Sequence, residues 1–380
     1  MNMAKVECKI CGYKAHFLEP HIVKEHNLTA EAYQASNSGA LILSEAALTR
    51  LQEIEAESRN VVVEYDIKKT FGIEVSKKTT KVNGFRNPHA TTPKIDPDYK
   101  FRKDQLTAIL FSRVNAKDEK TLFVGPTGSG KTSALEQVAA RLNLPYFRIN
   151  MDADITRADF VGQWVLKGDE MEFMYGMLPR AMRTEMSMMV IDEWDCMNPS
   201  NAMALQAVLE GSPLTIAELA KQVHAAPGST IHCTANTIGQ GDESGMYSGT
   251  QVQNFAQLDR FTMVVKVDYP EEAIERKILE SKCGLTDEKL AERFGVAGFS
   301  KNDNAKSIID RLIETGRLVR EAFLKQEVTT TMSTRTIVNI ANKLLTFGST
   351  KKAYELAYLN KLNSEDETFV REIIQRVWGA

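Results

Sequence analysis

"GPTGSGKT" spans Gly125–Thr132, directly after the apolar run "TLFV" and directly before "SALEQVAARL". A strand that breaks into a glycine-rich turn and reopens as a helix points consecutive backbone N–H groups at phosphate oxygens. The helix N-terminus adds its partial positive charge. In this pattern Gly125, Pro126, Thr127, Gly128, Ser129 and Gly130 form the cradle, Lys131 reaches the outer phosphates of a nucleotide, and Thr132 sets its hydroxyl on Mg2+. A plain turn with a surface lysine is the alternative, but the strand-to-helix context is the one the phosphate reading requires.

Working outward, short β-rich runs alternate with helical ones from Asp104 to Tyr269: "TLFVG", "SALEQVAARLN", "YFRIN", "MMVID", "AMALQAVLE", "TIHCTAN" and "MVVKV". That alternation predicts an α/β fold, a parallel sheet with helices on both faces. Beyond "PEEAIERKILESKCG" helical periodicity continues with almost no strand signal, which predicts a helical lid subdomain. The expected domains are 1–60 (a small finger and helix, the helix starting at Ser44), 61–103 (a linker), 104–270 (the core) and 271–380 (the lid). Between Asp66 and Lys103, ten Lys or Arg stand against four Asp or Glu. This Pro-interrupted stretch reads as a basic tether with one strand-like piece.

"MSMMVIDEWD" supplies what a phosphate loop lacks. Met188–Ile191 predict a buried strand, and Asp192 and Glu193 emerge at its C-terminal end, where ligands bind in open parallel sheets. Asp192 is placed to hold Mg2+ and Glu193 to deprotonate an attacking water. A solvated strand end is the plainer reading of two adjacent acids, and the phosphate loop tips the balance. Downstream, "STIHCTAN" ends on Asn236, whose neutral amide can bond both the terminal phosphate and the attacking water.

This order of motifs resembles the AAA+ ATPases, and within them the MoxR-like branch and the cobaltochelatase subunit CobS. The likeness runs from about Asp66 to Tyr269 and is carried by "TFGIEV", "IDPDYKF", "GPTGSGKT", "DEWD", "QAVLEG", "TANTIGQGDESGMYSGTQ" and "QLDRF". It implies ATP and Mg2+ as cofactors and hydrolysis of ATP to ADP and phosphate. Residue by residue it implies sensor 1 at Asn236, an arginine finger at Arg260 and the sensor 2 arginine of the lid at Arg335. A finger acts on a neighbour's phosphate, so the resemblance also implies a homo-oligomeric ring, a hexamer. An intramolecular salt bridge is the other reading of Arg260. The family further implies a partner with a von Willebrand factor A domain, CobT-like, remodelled at the expense of ATP. "VGQWVLKGDEMEFMYGML", Val161–Leu178, reads as a hairpin whose Trp164, Phe173 and Tyr175 either grip a partner or simply pack.

At the front, "VECKICGYKAHFLEPHIVKEH" holds Cys8, Cys11, His21 and His26 in C-x2-C-x9-H-x4-H spacing. Four such ligands suit tetrahedral Zn2+, and the stretch resembles the fingers of Ros and MucR regulators. His16 is a spare imidazole at the surface. From Met1 to Leu28 four Lys face three Glu and there is no Arg, so guanine reading and dense phosphate contact are both missing. A docking finger is favoured over a nucleic-acid-binding one. The finger departs from the cobaltochelatase pattern, which begins near "DIKKTFGIEV".

Composition sets outer limits. Net charge is −3, with no global pull toward nucleic acid or acidic membranes. The five cysteines form no disulfide framework, no apolar run spans a bilayer, and a cytoplasmic protein is expected. The leading reading is a ring ATPase that remodels a partner complex. The alternatives are a cobaltochelatase ATPase subunit in cobalamin synthesis and a nucleic-acid-binding regulator switched by ATP.

Overall fold

The computed structural model describes residues 5–37, 40–44, 47–48, 61–75, 79–152, 154–168, 170–239, 249–285 and 305–379. The helix expected from Ser44 lies outside these residues apart from Ser44, Ala47 and Leu48, as do residues 240–248 of the "GQGDESGMYSG" stretch. The chain divides into two compact units, residues 1–63 with 85–88, and residues 64–84 with 89–380.

The described part of the first unit holds a small buried cluster. A two-stranded antiparallel ribbon, Val6–Glu7 and Lys14–Ala15, precedes the helix Glu19–His26. A second helix, Ala30–Ser36, starts where Thr29 Oγ1 accepts from the Ala32 N–H at 3.2 Å. Among the described residues, Cys8, Leu18, Ile22, Tyr33 and Ala40 form the unit's buried cluster. Tyr33 spends its polar end well: its hydroxyl accepts from the Lys9 N–H at 2.8 Å, within the turn that carries the cysteine pair.

The second unit centres on a five-stranded parallel sheet. We number its strands β1 (Lys120–Val124), β2 (Tyr146–Asn150), β3 (Met188–Asp192), β4 (Thr230–Ala235) and β5 (Met263–Lys266). Their spatial order is β5-β1-β4-β3-β2, and every neighbouring pair is parallel. The inner strands β1, β3 and β4 are buried at each residue, whereas the edge strands β2 and β5 alternate. Covered faces explain the apolar run of β3 before Asp192 and the burial of β1 and β4 at each position. Helices α1 (Lys103–Val114) and α2 (Lys131–Arg141) flank the start of the sheet, and α3 (Pro199–Leu209) follows β3. The α/β fold expected from the sequence is the fold observed.

The helical C-terminal region contains α4 (Glu272–Cys283), α5 (Ala305–Leu324), α6 (Thr334–Phe347) and α7 (Ser364–Trp378). Ile308, Ile309, Leu312 and Ile313 recur at helical spacing along α5 and pack with Leu279, Ile340, Leu344 and Val370 into a core of their own. Among the described residues no helix is long and apolar enough to cross a membrane.

The basic stretch departs from the expected tether. It holds two paired strands, Val62–Asp66 and Lys81–Phe85, and between them a turn of helix, Ile67–Phe71, capped by Asp66. Its Pro-rich continuation is fixed to the core by distant partners. Thr92 Oγ1 donates to the Leu144 carbonyl at 2.8 Å, the Asp96 N–H to Gln137 Oε1 at 2.8 Å, and Arg141 to the Asp96 carbonyl at 2.9 Å. Prolines and lysines made the segment look loose, and hydrogen bonds to residues some forty positions away hold it.

The hairpin expected at Val161–Leu178 is present as Gly162–Lys167 paired with Glu170–Tyr175. Phe173 and Tyr175 pack against the sheet's main cluster, while Trp164 is 45% exposed. Of the three aromatics, only Trp164 is left facing outward.

Within the lid, Glu275 is almost completely buried and fully engaged. Its carboxylate accepts from Arg320 at 2.6 and 3.1 Å and from the Thr334 hydroxyl at 2.6 Å. Arg320 also donates to the Met332 carbonyl at 2.8 Å. Removing one partner strands the other charge, so Glu275→Ala is expected to destabilise the protein by about 3–5 kcal/mol. A lowered midpoint in denaturant unfolding reads this directly. An unchanged midpoint would show that the pair contributes nothing net.

Candidate nucleotide site

Where β1 ends, the backbone has no room for a side chain. The Gly125 N–H bonds to the Ala235 carbonyl at 3.1 Å, and a Cβ at Gly125 would meet the Val267 carbonyl oxygen at 1.8 Å. Gly128 has φ +72°, and a Cβ there would meet the Ser333 side chain at 2.7 Å. Ser333 caps the N-terminus of α6 by accepting from the Thr336 N–H at 3.1 Å. The first turn of that lid helix therefore lies directly against the phosphate loop, and Arg335, two residues on, is exposed beside it. The loop is tied a second time by Tyr269, whose hydroxyl donates to the Thr127 carbonyl at 3.2 Å and over whose ring Arg320 stacks at 4.1 Å.

Lys131 is buried at the start of α2. Its Nζ donates to the carbonyls of Gly125 at 2.6 Å and Pro126 at 3.0 Å, and to Asn236 Oδ1 at 3.1 Å. Burial pulls its pKa down to about 8 against the opposing pull of Asp192, Asp195 and Glu193, and the Arg335 charge adds to the lowering. An ammonium bound to neutral carbonyls, with its carboxylate neighbours further off, is poised to gain from an incoming anion.

Thr132 Oγ1 donates to Asp192 Oδ1 at 2.9 Å. The same buried carboxylate accepts from the Thr234 hydroxyl and from Arg148. Two oxygens from adjoining elements thus converge, the hard-donor chemistry that suits Mg2+. Glu193, next in sequence, takes a left-handed conformation with φ 55° and is half-buried. A non-glycine residue in that region marks a turn the surroundings enforce. It swings the second acid away from the strand line, while the Glu193 N–H faces Thr234 Oγ1 at 3.4 Å.

The phosphate loop, Asp192, Glu193, Asn236 and Arg335 are thereby gathered at the C-terminal edge of the sheet. Arg260 has different company: its guanidinium bonds to the Glu210 carboxylate and the Ala256 carbonyl, and the Gln206 amide lies against it. In the single chain the salt-bridge reading of this residue is the one realised. Beside the site a cavity of about 890 Å3 opens between the edge of the sheet and the lid, lined by Gly125, Pro126, Asn236, Tyr269 and Arg320.

In the other unit, Cys8, Cys11, His21 and His26 bring their sulfur and nitrogen atoms within 4.8 Å of one another. Cys8 Sγ stands 3.5 Å from His26 Nε2, and Cys11 Sγ 3.1 Å from His21 Nε2. Ligands of one tetrahedral zinc ion stand roughly 3.5 Å apart, so this donor set fits the metal. Burial opposes ionisation of Cys8, but the Ile10 and Cys11 N–H groups, with the Cys11 and Tyr33 side chains, together hold the thiol below its usual range. His16 stays outside the quartet and bonds Ser44 Oγ through Nδ1 at 2.9 Å.

Several residues at the site escaped the sequence reading: Arg148, Thr234, Asp195, Tyr269 and Ser333. One signal was available for Thr234. In "TIHCTA" the polar side chains Thr230, His232 and Thr234 alternate along a strand buried at each position, and buried polar groups need partners.

Residues 120–261 match the AAA domain of the dynein-related subfamily, and residues 300–380 match the CbbQ/NirQ/NorQ C-terminal family. The aerobic cobaltochelatase subunit CobS of a Sinorhizobium species is 32% identical over 318 residues, which cover 82% of this chain and 90% of that protein. Protein NorQ of Paracoccus denitrificans is 28% identical over 190 residues, covering 50% of this chain and 67% of NorQ.

Proposed function

Because this chain belongs to the CbbQ/NorQ/CobS family of AAA+ ATPases, we propose that it works as a ring-forming motor whose ATP turnover remodels a partner complex. The observation that carries this reading is the meeting of three separate motifs: Thr132 bonded to Asp192, and Lys131 bonded to Asn236. Such a cluster has the parts of a hydrolytic site.

In this reading Gly125–Thr132 hold the triphosphate through backbone N–H groups, and Lys131 neutralises the β- and γ-phosphates. Thr132 and Asp192 hold Mg2+, which screens phosphate charge when bound. Glu193 takes a proton from the attacking water onto its carboxylate, and Asn236 fixes that water's orientation. Arg335, carried on the lid, senses the phosphates from the other side. Arg260 leaves Glu210 to serve the neighbour's site, which makes the working assembly a closed ring, a hexamer. The partner is a protein with a von Willebrand factor A domain, as the family resemblance implies, and Trp164 on the hairpin is an exposed contact for it.

The front unit is a zinc-bound docking finger with Cys8, Cys11, His21 and His26 as ligands. With five buried cluster residues among those described, it depends on the ion for its fold. A second reading has specific support: the similarity to CobS extends over 90% of that protein. It makes this chain the ATPase of a metal chelatase acting on a corrin ring. Cobalt insertion by the chain mixed with candidate chelatase subunits separates the two.

Glu193→Gln is expected to retain ATP, since Lys131, Thr132 and Asp192 are intact, and to lose turnover by a factor on the order of 10² or more. Retained nucleotide with near wild-type hydrolysis would move the base elsewhere. Cys11→Ser is expected to abolish zinc in elemental analysis of reduced protein and to leave ATPase activity in place. An absence of zinc from the wild-type chain contradicts the finger.

A further inference from the structure

Asp195 has no role in the mechanism above, yet it is completely buried two residues beyond Glu193. It sits in the single helical turn Trp194–Cys196 that follows the left-handed Glu193. Its Oδ2 accepts from the Asn236 N–H at 3.1 Å, the Thr237 N–H at 2.8 Å and the Thr237 hydroxyl at 2.9 Å. These donors stand just past the end of β4, where backbone groups have run out of strand partners. Its other oxygen, Oδ1, is buried and has no hydrogen-bond partner among the described residues. A buried carboxylate with one empty side is costly to keep.

We infer that Asp195 is the positioning residue for Asn236: it clamps the backbone after β4 so that the Asn236 amide is presented at the terminal phosphate. The geometry supports a clamp. With its N–H fixed by Asp195, Asn236 extends Oδ1 to Lys131 Nζ at 3.1 Å. Because Asp195 shares one turn with Glu193, the clamp sets the water-aligning amide and the base relative to each other. The Asp195 main chain extends the same junction: its carbonyl accepts from the Gln251 N–H at 2.8 Å, and the Gln253 N–H bonds to the Gly239 carbonyl at 2.7 Å. The segment so held leads into Arg260. The inference rests on the reading of Asn236 as the residue that orients water.

The test is steady-state hydrolysis by the full chain with ATP and Mg2+, comparing Asp195→Ala, Asp195→Asn, Asn236→Ala and Asp195→Ala/Asn236→Ala. Loss of the clamp is expected to lower kcat by about 10²-fold, the scale of losing one preorganised polar group, with KM for ATP within about threefold of wild type. Asp195→Asn keeps an acceptor for the same donors and should restore kcat to within about fivefold. The double variant should be no slower than Asn236→Ala alone, since what the clamp contributes to turnover is the placement of that amide. Wild-type kcat in Asp195→Ala, a loss confined to KM, or a double variant slower by the product of the single effects overturns the inference. If Asn236→Ala itself turns over normally, the reading of Asn236 fails first. Should Asp195→Ala not fold, Thr237→Val removes a single donor. It should lower kcat about fivefold and have no effect in the Asn236→Ala background, and an unchanged kcat in the otherwise native chain overturns the clamp.

Discussion

The buried carboxylate of Asp192 is the constraint on which the rest of this site depends. It ends β3 in a position nearly closed to water, and it is kept there by Thr132 from the phosphate-loop helix, Thr234 from β4 and Arg148 from β2. A charge in that environment persists only when hydrogen-bonded on several sides. Satisfying it therefore fixes the register of three strands and the start of α2 together. The parallel pairing of β2 with β3 and β3 with β4 sets Arg148 and Thr234 near it. Everything chemical then lies at one edge: the loop before Thr132, the turn after Asp192 and the amide after β4.

The lid closes this arrangement by a separate route. Tyr269 holds the Thr127 carbonyl, Arg320 stacks on Tyr269, Glu275 receives Arg320 and Thr334, and Ser333 meets Gly128. This circuit of contacts returns to the loop where it began. Arg335 is placed by that circuit, since it stands in the capped first turn of α6.

The sequence made the local parts of this readable and hid the distant ones. "GPTGSGKT", the acids after Met188–Ile191, Asn236 at a strand end and the Cys and His spacing are short patterns whose chemistry depends on neighbours in the chain. The five-stranded sheet followed from apolar runs of strand length alternating with helices. Arg148, Thr234 and Asp195 act across 44, 42 and 41 positions, so nothing in their immediate context announces them. The stretch before α1 misled for the same reason: its prolines and lysines describe a loose segment, and the bonds that fix it come from α2 and the turn beyond.

Arg260 is where the account is most exposed, because the single chain shows it held by Glu210 while the proposed motor needs it at a neighbour's phosphate. Mixing Arg260→Ala with Lys131→Ala tests the point. The first keeps an intact phosphate loop without a finger, and the second keeps the finger without a loop that can hold ATP. Each should be inactive alone. Under verified subunit exchange, some interfaces would join an intact loop to an intact finger, and the account expects partial ATPase activity to return. No recovery on mixing, together with weakened ATP binding by Arg260→Ala itself, would place Arg260 within its own chain and contradict the shared active site.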